Sequence, residues 1–130
     1  MLYSVLIYDS EPFLAGLPAE EHEQRLQEHL AFQDNLRDKN QLGAVVKLAP
    51  TAAAVTVRRS MLEDVVVDGP FAETKEHLIG FYLVEAANLE EAVSAARQLP
   101  IGGGALEIRP VAFFEGGDFR QGDALVLRGD

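Results

Sequence analysis

The sequence predicts an α+β domain in which helices pack on one face of an antiparallel sheet. Runs rich in β-branched and aromatic residues recur along the chain, and two stretches between them switch to helical periodicity. The resulting order is β-α-β, a hairpin, then β-α-β. With 130 residues, 48% of them apolar, the chain can fill a single core. The main domain is expected over 1–114, with 115–130 as a tail.

Each element has a local reason. Leu2 to Tyr8 is β-rich and stops at the polar stretch Asp9-Ser10-Glu11-Pro12, so it reads as a first, central strand. A helix follows from Pro18 to about Asn40. Pro suits the first helical position, and Glu20, Glu21 and Glu23 complement the helix dipole. Ala44 to Leu48 gives the second strand, closed by Pro50. Ala54 to Arg58 and Leu62 to Val67 read as two strands around a turn near Arg59-Ser60. Leu78 to Glu85 returns to strand. Asn88-Leu89-Glu90-Glu91 is a capping box opening a second helix, which is expected to bury Leu89, Ala92, Val93 and Ala96. Leu106 to Phe114 is the last strand. Such an order matches the ferredoxin-like arrangement.

That arrangement leaves one sheet face uncovered. The strand at 78–85 is apolar on both alternations, with Ile79, Phe81 and Leu83 on one and Leu78, Tyr82 and Val84 on the other. Helices cover only one face, so a homodimer closing sheet on sheet is the simplest cover for the second. The tail, whose one apolar run is Ala124 to Leu127, is either a free end or a strand that docks on the partner.

Composition narrows the function classes. There are 21 acids against 11 bases, a formal net charge of -10, which disfavours nucleic acid and anionic membrane as partners. No cysteine is present, so disulfides, thiolate nucleophiles and Cys-based zinc sites are ruled out. No stretch approaches the ~20 apolar residues of a spanning helix, and no secretory signal is evident. A soluble, cytoplasmic domain is expected. Six acids of the first helix (Glu20, Glu21, Glu23, Glu28, Asp34 and Asp38) lie on one side of it, which reads as a solvated outer face.

The opposite side of that helix carries Leu26, Leu30, Phe32 and Leu36, yet the residues nearest its centre are His22, His29 and Gln33. One account has these polar groups satisfied within the core. The other gives His29 an acid–base role, since a histidine can trade protons near neutrality. His22 is nearer the helix start and expected to be exposed. His77, at a strand start, is expected to be exposed as well. His22 and His29 are separated by about 10 Å of helix rise, too far to share an ion, so no metal site is expected.

Asp68 to Glu76, reading DGPFAETKE, is the most distinctive segment. Its Asp-Gly-Pro is turn chemistry, and Phe71 is expected to plug the turn into the core. The functional reading gives Asp68 an orienting or proton-relay role and assigns Lys75 to an anionic substrate. Arg58 and Arg109 lie on predicted strands, where surface ion pairing is the plain account and substrate contact the functional one. Gly102-Gly103-Gly104 leads into a strand and lacks a following Lys-Ser/Thr, so it is not a phosphate cradle. No cofactor is called for.

Together these residues resemble the YCII-related superfamily, specifically its DGPF branch. The likeness rests on DGPFAETKE joined to Gly80-Phe81-Tyr82-Leu83, on Val5 to Tyr8, on His29-Leu30-Ala31-Phe32 and on Gly103 to Pro110, covering Leu2 to about Val111. It implies a dimeric α+β barrel and a His-Asp pair in a cleft, with His29 as the histidine. A dehydrochlorinase of chlorinated aromatic breakdown belongs to the wider group. Wider members place an Asp before a Pro after the second helix, whereas here Leu99 precedes Pro100. Asp68 is the substitute and Asp38 a poorer one. DGPF proteins are often encoded near alternative sigma factors, which implies a regulatory or stress context. Two functions are thereby expected: a small acid–base enzyme of lyase or isomerase type, or a non-catalytic dimeric module binding a ligand or protein.

Overall fold

A computed structural model of the chain describes residues 1–117. Its elements are β1 (Leu2–Asp9), α1 (Glu11–Ala15), α2 (Ala19–Asp38), β2 (Leu42–Lys47), β3 (Val55–Arg59), β4 (Asp64–Asp68), β5 (His77–Glu85), α3 (Leu89–Ala96) and β6 (Ala105–Pro110). Four strands form one sheet in the order β2-β5-β1-β6, while β3 and β4 pair apart from it. All pairings are antiparallel. This is the expected α+β, ferredoxin-like topology, with the β3–β4 hairpin inserted between β2 and β5. The apolar run at 124–127 lies outside the described residues.

Alternation along β1 decides where the core sits. Tyr3, Val5, Ile7 and Asp9 are buried, while the residues between them are half-exposed. Across the sheet the same face carries Tyr82 and Val84 of β5, with Leu106 and Ile108 of β6 packed alongside. Phe32 and Leu36 of α2, and Ala92 and Ala96 of α3 with the following Leu99, close this face. The other face presents Leu6, Phe81, Leu83 and Val46 in register, and the described helices pack on the opposite face.

Local capping works largely as the sequence anticipates. Asn88 Oδ1 accepts the Glu91 N–H at 2.8 Å, and Glu91 reaches back to the Ala87 N–H at 3.3 Å. α2 ends with Asn40 at φ 55, a left-handed position that asparagine tolerates, and the Gln41 N–H returns to the Leu36 carbonyl.

Several expectations are corrected. Leu26 and Leu30 are 51% and 41% exposed, because α2 packs along the line Arg25, His29, Phe32, Leu36 instead. Leu89 of α3 is also exposed. β6 stops at Pro110, with one further bond from the Val111 N–H to the Leu2 carbonyl, and Phe113 and Phe114 stand exposed. Phe71 is 75% exposed. Its segment is held along β3 rather than over the core: Gly69 N–H donates to the Ala54 carbonyl, Thr56 Oγ1 to the Gly69 carbonyl, and Arg58 to the Phe71 carbonyl at 3.2 Å. The short α1 was not anticipated at all. Ser10 caps it by accepting the Phe13 N–H, and Pro12 suits its first turn.

Candidate functional site

The inward alternation of β1 ends on a carboxylate. Asp9 is 1% exposed, and an isolated buried charge would be costly. Each of its oxygens accepts a backbone hydrogen bond. Oδ1 accepts the Ser10 N–H at 2.8 Å, and Oδ2 accepts the Gly102 N–H at 3.0 Å. Arg25 Nη1 stands 4.0 Å from Oδ2. The guanidinium lies over the Phe13 ring, 5.7 Å from its centroid, a cation–π arrangement. The glycine run therefore has a packing role. A Cβ on Gly102 would strike the Phe13 ring, and one on Gly104 would strike the Tyr8 carbonyl. Glycines at both places let the loop close on the end of β1.

A register change brings a histidine beside this carboxylate. Ile7 pairs with Gly80 but Tyr8 pairs with Leu78, so Ile79 is an extra residue and Asp9 faces His77. Consequently the His77 side chain is only 17% exposed, against the exposure expected of a strand start. His77 Nδ1 is 3.9 Å from Glu11 Oε1. Nε2 is buried with no hydrogen-bond partner among the described residues. Glu11 in turn accepts both the N–H and the hydroxyl of Thr51. These hydrogen bonds, chiefly the hydroxyl's, hold its carboxyl below the ordinary carboxylate value, and His77 adds to the effect. Glu11 is thus a fixed negative charge beside the imidazole.

Asp9, Glu11, Phe13, Lys75, His77 and Gly102 line a cleft of about 610 Å³, a size ordinary for small-molecule sites. Lys75 is placed on its wall and exposed. Among the described residues no group of three or more His, Cys, Asp or Glu could hold a metal ion.

His29 occupies a different place, on α2 against the middle of β5. Its Nδ1 lies 2.7 Å from the Tyr82 hydroxyl, which also accepts from Gln33 Nε2 at 3.1 Å. With Gln33 donating into the phenol oxygen, the Tyr82 O–H is free to donate to Nδ1. Burial, reinforced by Arg25, pushes the His29 pKa down, which agrees with a neutral, accepting ring. His29 borders neither this cleft nor the groove described below.

The remaining candidates are dispersed. Asp68 ends β4 and is exposed, paired through the backbone with Val55. No hydrogen bond or ion pair joins it to His29 among the described residues. Arg58 is exposed on β3 and bonds the Phe71 carbonyl. Arg109 is exposed on β6, opposite Ser4. Asp38 is exposed at the end of α2. Asp9, Glu11, Arg25 and His77 were missed by sequence reasoning. One signal could have found Asp9: it continues the odd-numbered series Tyr3, Val5, Ile7, and so faces inward with them.

No helix among the described residues is long and apolar enough to cross a membrane. The family model for the YCII-related domain matches residues 1–115. An uncharacterized protein of Rhizobium meliloti (strain 1021) is 43% identical to the chain over 121 residues, which span 91% of this chain and 98% of that protein. With both the match and the fold in agreement, the chain belongs to the YCII-related family.

Proposed function

We infer that this protein is a small acid–base enzyme that moves a proton on a small molecule bound in the Asp9 cleft. The observation that carries the reading is a histidine held in register with a buried carboxylate at the floor of a cleft of about 610 Å³. His77 is the group that gives and takes the proton, since imidazole can do both. Glu11 orients the ring and balances its charge when protonated. Asp9 has both oxygens occupied, so it acts as a positioning residue that ties β1, the glycine loop and α2 together. Lys75 holds an anionic group of the substrate.

The test is solvent-deuterium exchange into a panel of 2-oxo acids and 1,3-dicarbonyl compounds, followed by NMR. Wild type is expected to catalyse exchange at one of these carbon acids, and His77→Gln to lose about 100-fold or more of that rate. His29→Gln is expected to retain it. The reverse pattern would move the chemistry to His29, with Asp68 then its candidate partner.

The second reading is a non-catalytic dimeric module in a regulatory or stress context. It is favoured by the apolar face of Leu6, Phe81, Leu83 and Val46, which lies opposite the described helices. Sheet-on-sheet pairing of two chains would cover it. Absence of exchange with any carbon acid would leave this module reading standing. Dimerisation is compatible with either reading and is measured by sedimentation.

A further inference from the structure

We propose that the Asp9 cleft extends past His77 into a second groove, and that the two together bind an amphipathic zwitterion, an α-amino acid with an apolar or aromatic side chain. This rests on the Asp9 cleft being the functional site, but not on its proton chemistry.

The second groove has a volume of about 640 Å³ and runs between the sheet and the base of the β3–β4 hairpin. Tyr8, Leu48, Pro50, Pro70, Phe71 and Leu78 are among its lining residues, a surface suited to an apolar side chain. Thr74, Glu76 and His77 line both cavities. A cleft that holds most of the charged side chains and a groove with mostly apolar ones therefore share a wall, which is the layout an amphipathic ligand requires.

The charges specify the head group. Asp9 is satisfied by two backbone N–H groups with Arg25 nearby. Glu11 is satisfied by Thr51 and faces His77. Both carboxylates thus already have protein partners. Lys75 and the Glu76 carboxylate, by contrast, make no side-chain hydrogen bond or ion pair among the described residues. Both line the Asp9 cleft, so it offers one cation and one anion from neighbouring residues. An anion alone would satisfy Lys75 and be repelled by Glu76, and an amine alone would do the opposite. An ammonium and a carboxylate on one carbon satisfy both. Phe71 explains its own exposure in this arrangement, as a wall for the ligand's side chain.

Four probes test the proposal on the full chain, by calorimetry and by chemical-shift mapping: L-phenylalanine, 3-phenylpropanoate, 2-phenylethylamine and glycine. L-phenylalanine is expected to saturate, to shift Tyr8 and His77 resonances, and to bind at least about tenfold more tightly than the other three. Lys75→Gln is expected to reduce its affinity to that of the amine, and Glu76→Gln to that of the acid. Phe71→Ser is expected to weaken L-phenylalanine and leave glycine unchanged. Melting curves verify that these surface variants fold. Equal or tighter binding of the acid, the amine or glycine overturns the proposal, as does the lack of a saturable shift at these residues with every probe. Binding of L-phenylalanine without deuterium exchange into any carbon acid would break the catalytic reading alone. Exchange without that binding would break this inference alone.

Discussion

The central sheet and the β3–β4 hairpin are built from the same kind of sequence and meet opposite fates. β1 reads LYSVLIYD and β4 reads DVVVD, and both form regular antiparallel ladders. In β1 every second residue is buried. In β4 none is: Val66 is 65% exposed, and its β3 partner Val57 61%. Strand propensity is thus a local property, whereas burial is granted by what lies above the face. The site sits where the two regions meet, with its polar cleft at the end of β1 and its apolar groove at the hairpin base.

The largest contrast is expected from truncating one residue on each side. Tyr82→Ala removes a side chain that is 2% exposed, packs edge-on against Phe32 and anchors both His29 and Gln33. It should cost about 3–5 kcal/mol in urea unfolding. Val66→Ala on the hairpin should stay within about 0.5 kcal/mol for an isolated chain. A large cost at Val66 that grows with protein concentration would show that a second chain buries the hairpin, and the contrast would then belong to the monomer alone.

Next in size is Asp9→Ala. The change leaves the Ser10 and Gly102 N–H groups without their acceptor and Arg25 without its carboxylate. A loss of about 1–3 kcal/mol is expected. Asp68→Ala at the exposed end of β4 should be nearly silent. Equal losses at both would erase the distinction between a buried and a surface carboxylate.

The smallest effect is a pH dependence. The His29 pKa is lowered in the folded chain from an ordinary 6.5, so the unfolded chain binds the proton more readily. Stability is therefore full above about pH 6.5 and falls as the pH drops from there toward the folded-state value. Thermal melts between pH 7.5 and 5.5 should show this decline in wild type and a shallower one in His29→Gln. Glu11 adds a second decline only in more acid solution, below its ordinary 4.5, as the pH falls through its lowered folded value. An identical slope in His29→Gln would mean that His29 is not the group responsible.

Much of the fold was legible and little of the site was. The strands and the helices at 19–38 and 89–96 follow from periodicity, and the Asn88 cap follows from side-chain chemistry that acts over four residues. α1 escaped because five residues give no helical period to read. The site escaped for a different reason. Asp9 and His77 are distant in the chain and meet only through the β1–β5 register, which one extra residue at Ile79 shifts. Nothing near His77 announces that shift. The glycine run packs against the end of β1, but its partner, Asp9, lies far away in the chain.

The sequence by itself determined the family, the order of elements and the inward face of β1, because propensity, capping and alternation are short-range effects. Only the tertiary structure decided which carboxylate is buried, which histidine stands beside it and which valines stay in water. Those outcomes depend on strand register and on what covers each face, and both are set by contacts between segments far apart in the chain.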